Sequence, residues 1–109
     1  MTTHTPLTRD RLAYRPYDTL PEDAKPLADY ILKISSAGLA GPYNALLRSP
    51  KMAKPCLELL DYLRFHSSIS KRMTEFAILI QARVGNAPFE WWAHERIGRR
   101  EGLDDRIIK

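Results

Sequence analysis

The sequence has 109 residues, 44% of them hydrophobic, so it can bury a modest core and should fold as one domain. Its one cysteine, Cys56, excludes an internal disulfide framework and a zinc site built from several thiolates. No apolar run approaches the length of a membrane span or a signal-peptide core, which favours a cytoplasmic protein without membrane contact. The net charge of +4 does not indicate nucleic-acid binding. Its densest cluster is Arg96, Arg99 and Arg100, which solvated cations at a helix end explain better.

Residues 1–20 contain Pro6 and Pro16, with Pro21 directly after them, and no sustained apolar period, a pattern typical of an extended arm. Immediately afterwards the apolar residues take on helical spacing. Leu27, Ile31 and Ile34 predict a helix with acidic residues in its first turn. No strand pattern competes anywhere with the helical ones, so we expect residues 21–109 to form one all-α, multi-helical domain.

The next long helix is expected to begin at Pro50, where a serine precedes a first-turn proline. Pro55 removes an interior hydrogen bond, so the sequence predicts a kink or a delayed start there. The apolar stripe of this helix is predicted to consist of three leucines, Leu59, Leu60 and Leu63. Cys56 lies on the same side, and we interpret it as a small core residue rather than a nucleophile.

Ser70 is predicted to cap a third long helix, in which apolar residues occupy nearly every face. Such a helix is expected to be buried on most sides. Glu75 lies on a stripe with Ile78, Leu79 and Ala82, and burying an unpaired carboxylate is very costly. Glu75 therefore needs a partner. The partner makes either a structural ion pair with an arginine or histidine, or a catalytic pair with a histidine in a cavity.

The stretch from Asn86 to Leu103 predicts a helix with a clear start and stop. Asn86 is the expected N-cap, Pro88 suits the first turn, and Gly102 supplies the left-handed residue that ends a helix. Residues 104–109 resemble the start of one more capped helix. We therefore expect the chain to be the front part of a longer protein.

Within this helix, Glu90 and His94 are four residues apart and lie on one face, and Gly98 follows one turn later. A glycine inside a helix costs about 1 kcal/mol relative to alanine, so close packing is expected there. The carboxylate, the imidazole and the glycine notch could form part of a small-molecule site. We expect Glu75 to join Glu90 and His94 in one small cavity between two antiparallel helices.

Three pieces of the chain resemble the carboxymuconolactone decarboxylase family, which includes the alkylhydroperoxidase D-like proteins. They are GPYNALLRSP (Gly41–Pro50), the TEFAIL stretch that contains Glu75, and FEWWAHERIGRREGL (Phe89–Leu103). The resemblance implies a multi-helical domain that forms symmetric homo-oligomers. It also implies further helices after Lys109, which this chain lacks.

The peroxidase branch of that family carries a Cys-x-x-Cys pair, with cysteines seven and four residues before the histidine. Here those positions hold Ala87 and Glu90, so the thiolate nucleophile and the resolving thiol are both missing. Peroxidase activity is therefore disfavoured. Glu75 and His94 match the proton-relay positions of that branch, and a glutamate four residues before the histidine is closer to the decarboxylase branch.

The resemblance thus implies a lyase of aromatic compound catabolism that acts without a cofactor on a small carboxylated or lactone substrate. Glu75, Glu90 and His94 are the expected catalytic residues, because a histidine flanked by carboxylates can act as a general acid. Trp91 and Tyr43 are the expected substrate contacts. No metal is expected, since Glu90 and His94 are too few ligands. The alternative is a member without catalysis that serves only in oligomerisation or ligand binding.

Overall fold

The computed structural model describes residues 12–109, so the part of the predicted arm before residue 12 lies outside the described residues. The described residues form six α-helices and no strand, which confirms the all-α prediction. The helices are α1 (Lys25–Ile34), α2 (Pro42–Leu46), α3 (Pro50–Asp61), α4 (Lys71–Val84), α5 (Pro88–Arg100) and α6 (Asp105–Ile108). Short 3-10 turns cover Tyr17–Thr19 and Glu22–Ala24, and a π-helical turn covers Tyr62–His66. The chain divides into two compact units, a first unit that ends at Leu60 and a second unit of Asp61–Lys109.

The first unit is built around an apolar core to which α1 and α3 contribute one face each. In α1 the buried positions are Leu27, Ala28 and Ile31, and Ile34, the third residue of the predicted stripe, is half-buried against the same core. In α3 they are Ala53 and Leu57, which are four residues apart on one face. The remaining buried residues of this core are Leu20, Ala24, Leu39 and Leu47. All of these side chains are apolar, so burial of hydrophobic surface stabilises the unit.

The described end of the predicted arm is fixed to α2 by side chains of that helix and of the turn after it. Asn44 donates its side-chain amide to the carbonyl of Leu12 at 3.2 Å. Arg48 donates to the carbonyl of Ala13 at 2.7 Å and to the side-chain oxygen of Asn44 at 2.7 Å. Leu20, the last residue of the predicted arm, is 5% exposed and belongs to the core. The core of the first unit therefore includes the end of the predicted arm.

Helix α3 differs from its prediction in two respects. It begins at Pro50 and runs through Pro55, so the delayed start is wrong. The amide missing at Pro55 would have bonded to the carbonyl of Lys51, which lies in the exposed first turn, where water can satisfy it. The predicted apolar stripe is wrong for Leu59, which is 58% exposed, and for Leu63, which is 47% exposed, whereas Leu60 packs against the core as predicted. The observed stripe consists of Ala53 and Leu57, with Leu60 half-buried beside them.

In the second unit, α4 and α5 pack against each other. The side chain of Ser70 accepts from the amide of Met73, which confirms Ser70 as the cap of α4. The buried residues of α4 are Glu75, Leu79 and Ala82, all on one face. Other apolar side chains of the helix are exposed, Val84 at 77%, so burial on most sides is wrong for this chain.

The connection between α4 and α5 differs from the predicted cap. Asn86 has φ +50 and lies just after α4, and the residue at the N-cap of α5 is Ala87. The amide of Ala87 bonds back to the carbonyl of Ala82 at 2.9 Å, and that of Asn86 to Arg83 at 3.3 Å. This is the Schellman pattern, in which a left-handed residue closes a helix. Asn86 therefore ends α4 rather than starting α5.

The end of α5 follows its prediction. Gly102 has φ +97, and the amide of Leu103 bonds to the carbonyl of Gly98 at 2.9 Å. The next helix, α6, is capped by Asp104, whose carboxylate accepts from the amide of Arg106. Leu79, Leu103 and Ile108 form the small apolar core of this unit. Within residues 12–109, no helix combines the length and the apolar character that a bilayer span requires.

Candidate active site

The centre of the candidate site is a contact between Glu75 on α4 and His94 on α5. The Glu75 side chain is 0% exposed, and its Oε2 lies 2.5 Å from Nδ1 of His94. The tight turn through Asn86 makes α4 and α5 neighbours, so residues on their facing sides can meet. The prediction that these two side chains meet is confirmed.

Each of these residues has a second charged partner one turn away on its own helix. Lys71 lies four residues before Glu75, and its ammonium is 3.0 Å from Oε1. Glu90 lies four residues before His94, and its Oε2 is 3.5 Å from Nε2. The result is a line of alternating charge that runs from Lys71 through Glu75 and His94 to Glu90. The His94 side chain is 11% exposed and that of Glu90 36%, so the line reaches solvent on the Glu90 side.

The pKa values of the central pair shift in opposite directions. Burial raises the pKa of Glu75, but the hydrogen bond and charge of His94, together with Lys71, outweigh it, so this pKa lies below its ordinary value of 4.5. Burial and the nearby charge of Arg64 lower the pKa of His94. The contacts with Glu75 and Glu90 outweigh them, so the pKa of His94 lies above its ordinary value of 6.5. Each shift favours the charged form of its group, so the contact stabilises the pair of carboxylate and imidazolium relative to the neutral pair.

In the charged form of the pair, the proton positions on His94 follow from its two partners. An ionised Glu75 can only accept, so Nδ1 carries a proton and donates it to Oε2. The remaining proton of the imidazolium is on Nε2, which faces Glu90. His94 thus presents one protonated nitrogen toward the more exposed side of the site. That is the arrangement of an oriented general acid.

The predicted glycine notch is not open. A Cβ placed on Gly98 would lie 2.8 Å from Cδ1 of Leu103 and 3.4 Å from Cδ1 of Leu79. The space that the missing side chain leaves is filled by Leu103, which folds back onto α5 after the left-handed Gly102. Gly98 therefore permits close packing of α5, and the proposal that it forms part of a small-molecule site is wrong.

Of the two predicted substrate contacts, Trp91 belongs to the second unit and Tyr43 to the first. Trp91 packs against the Leu79–Leu103–Ile108 core, with Arg83 4.9 Å from its ring centroid. Trp91 lines surface grooves of about 530 and 280 Å³, whose lining residues include none of the three predicted catalytic side chains. Tyr43 is half-buried against the core of the first unit. The role of both as substrate contacts stays a prediction.

Comparison with protein-family models, with curated proteins and with solved structures finds no match to this chain. The resemblance to the carboxymuconolactone decarboxylase family therefore remains a prediction that rests on the sequence pieces alone. Within the described residues, no group of three or more His, Cys, Asp or Glu side chains is arranged to hold a metal ion. Cys56 is half-buried on α3.

Two residues of this site were missed from the sequence. Lys71 stands four residues before Glu75, a spacing that stabilises opposite charges on a helix and could have been recognised. Arg64 acts electrostatically on His94 but lies 30 positions earlier, in the π-helical turn Tyr62–His66. No sequence spacing relates these two residues, so only the packing of the turn near α4 and α5 brings Arg64 into range.

Proposed function

We propose that the second unit is a cofactor-free acid–base catalyst in which His94 is the general acid. The observation that supports this most strongly is the 2.5 Å contact between a fully buried Glu75 carboxylate and Nδ1 of His94. A buried carboxylate at this position orients the imidazole and favours its protonated form, while Nε2, 3.5 Å from Glu90, faces the more exposed side of the site. The proposed substrate is a small carboxylated or lactone compound.

The proposed reaction is a decarboxylation. The bond between a carboxylate and the neighbouring carbon breaks, CO2 leaves, and the electron pair moves into a conjugated carbonyl to give an enolate. The Nε2 proton of His94 then transfers to the carbon from which CO2 has left. Glu75 stabilises the imidazolium before the transfer, and Glu90, the more exposed carboxylate, relays a proton from water to Nε2 afterwards. This reaction needs no redox step, which suits a chain that lacks the Cys-x-x-Cys pair.

The assembly that we propose for this catalyst is a homo-oligomer. In the second unit several large apolar side chains are strongly exposed: Ile69 at 61%, Ile80 at 50% and Val84 at 77%. Exposed apolar surface of this kind favours association. Size-exclusion chromatography with light scattering tests the proposal, and a monomer at all accessible concentrations would overturn it.

The test of function is CO2 release from a panel of β-keto acids and carboxylated unsaturated lactones. We expect His94→Gln to keep the fold and to lower the rate by about 10²–10⁴-fold, the usual contribution of a general acid. His66→Gln is the matched control, because His66 is exposed and lies in the same unit. Circular dichroism verifies folding of each variant. An unchanged rate in folded His94→Gln would disprove the assignment of His94.

The second candidate is a protein without catalysis, in which the same charges are structural. The observation that favours it is the second partner of Glu75, since Lys71 also neutralises the buried carboxylate. A buried carboxylate paired on both sides can persist for conformational specificity alone. The panel separates the two candidates: absence of turnover on every substrate by folded wild-type protein supports the structural role.

A further inference from the structure

Three buried polar atoms of the described residues have no hydrogen-bond partner, and all three lie between residues 64 and 75. They are Nε of Arg64, Nζ of Lys71 and Oε1 of Glu75. Lys71 and Glu75 form an ion pair with each other at 3.0 Å, although its angles are not those of a hydrogen bond. Buried polar groups are normally hydrogen-bonded, so an unpaired donor on Arg64 requires an explanation.

Arg64 and Lys71 share one aromatic ring. The guanidinium carbon of Arg64 lies 4.8 Å from the ring centroid of Phe65, and the ammonium of Lys71 lies 4.4 Å from it. Contacts of this kind hold a cation in place without neutralising its charge. Phe65 is 45% exposed, so the ring that holds both cations is accessible from solvent.

The charges of this group do not balance. Glu75 and Glu90 offset the charges of Lys71 and protonated His94, and Arg64 adds one further positive charge. Among residues 12–109, no carboxylate lies within ion-pair distance of Arg64. The charge of Arg64 also lowers the pKa of His94, which places the guanidinium in electrostatic range of the candidate general acid.

We propose that Arg64, supported by Lys71 on the Phe65 ring, is a binding site for a carboxylate of a small organic acid. A guanidinium presents a planar set of donors that matches the two oxygens of a carboxylate. The Nε of Arg64 is buried and has no protein acceptor, and the terminal guanidinium nitrogens are the donors that we assign to the ligand. The charge of the ligand balances the excess positive charge. This inference rests on the proposed function, because it places the substrate carboxylate near His94.

The test is a binding titration of the whole chain with succinate, followed by NMR of backbone amides and of the arginine Nε–Hε groups. We expect succinate to shift the Nε–Hε signal of Arg64. Succinamide, which has the same shape without charge, should not bind. Inorganic phosphate is a second anion, and binding to the same residues but more weakly is expected, because the planar guanidinium fork matches a carboxylate.

Two variants and one control complete the experiment. Arg64→Gln should weaken succinate binding at least 10-fold, and Arg64→Lys should weaken it less because the charge remains. Arg100→Gln removes the same charge from an exposed position on α5 and should change the affinity less than 2-fold. Thermal unfolding confirms that each variant is folded, and Arg64→Lys remains informative if Arg64→Gln does not fold.

The outcomes distinguish this inference from the proposed function. If wild-type protein does not bind succinate, if succinamide or phosphate binds equally well, or if Arg100→Gln loses as much affinity as Arg64→Gln, the Arg64 site does not exist. If succinate binds at Arg64 but no substrate of the panel turns over, the binding site stands and the catalytic proposal fails. Turnover that depends on His94, with a KM unchanged in Arg64→Gln, overturns only the Arg64 assignment.

Discussion

The first unit and the second unit bury different kinds of side chain. Within residues 12–60, every buried side chain is apolar, and residues such as Ile31 and Leu57 are fully buried. In the second unit, Leu79, Leu103 and Ile108 form the apolar core. The same unit also contains a fully buried carboxylate, that of Glu75, on the same helix as Leu79. Apolar burial stabilises a fold directly, whereas a buried charge requires its own partners.

This difference indicates where function is to be sought. A core of aliphatic side chains needs no explanation beyond stability. A buried carboxylate is costly even when it is paired, and replacing such pairs by apolar residues is often neutral or stabilising. The presence of a buried Glu75 with two cationic partners therefore marks the second unit, and not the first, as the part that carries the candidate site.

The largest expected effect is a loss of stability of the second unit on replacement of His94. His94→Leu leaves Glu75 buried with Lys71 alone, and breaking one side of a buried pair typically costs about 3–5 kcal/mol. Both tryptophans, Trp91 and Trp92, lie in the second unit, so their fluorescence during urea unfolding reports the loss there. His66→Leu is the control and should cost no more than about 1 kcal/mol, because its ion pair is exposed.

A loss below that of the control would show that the charged line contributes nothing to the second unit. Both units would then depend on apolar burial alone.

The second prediction is that the stability contributed by Glu75 and His94 depends on pH, unlike that of the apolar core of the first unit. The pKa of His94 is raised above 6.5, so its contribution is complete below pH 6.5 and is lost as pH rises through the raised value. The pKa of Glu75 is lowered below 4.5, so its contribution is complete above pH 4.5 and is lost as pH falls through the lowered value. The pair should stabilise most between pH 4.5 and pH 6.5.

The measurement is the cost of His94→Leu at pH 5.5 and at pH 9, with Leu57→Ala as the matched core variant of the first unit. Leu57→Ala should cost about 2–5 kcal/mol at both pH values, because a cavity in an apolar core has no titrating group. The cost of His94→Leu should be smaller at pH 9. Equal costs of His94→Leu at both pH values would contradict the shifted pKa values.

A smaller effect is expected at Gly98, where the second unit packs closely. Gly98→Ala gains about 1 kcal/mol of helix propensity, but its methyl group would approach Leu103 to 2.8 Å. Overpacking of this kind costs about 1–3 kcal/mol, so we expect a net loss of about 1 kcal/mol. In the presence of Leu103→Val, which removes the approaching methyl, the loss from Gly98→Ala should shrink. Strictly additive costs would show that the two side chains do not compete for space.

The smallest effect is expected at Cys56, on α3. Cys56→Ala removes a half-buried thiol and should change the stability by less than about 1 kcal/mol. Any activity found with the substrate panel should be retained, because the proposed chemistry uses no thiol. A folded but inactive Cys56→Ala protein would reveal thiol chemistry that the proposal excludes.

Part of the candidate site could be predicted because its signals are local. Glu75 interrupts an apolar stripe, which indicates a buried carboxylate that needs a partner. The short connection between the helices makes His94 an available partner. In the structure, Nδ1 of His94 lies 2.5 Å from Oε2 of Glu75. At Gly98 the local pattern predicts less. A glycine in a helix predicts close packing but not the identity of the neighbour, which is Leu103 rather than a ligand.

The sequence by itself determined the long helices and some of their ends, such as the Ser70 cap and the Gly102 stop, because caps and left-handed residues act within a few positions of the chain. Asn86 is the exception, since it ends α4 instead of starting α5. Only the tertiary structure decided which face of each helix is buried. The leucines of α3 allow more than one stripe, and packing buries Leu57 while Leu59 stays exposed. Only tertiary structure likewise places Arg64 near His94. The physical reason is the same in both cases: burial and electrostatics depend on distances between segments, which helical periodicity does not encode.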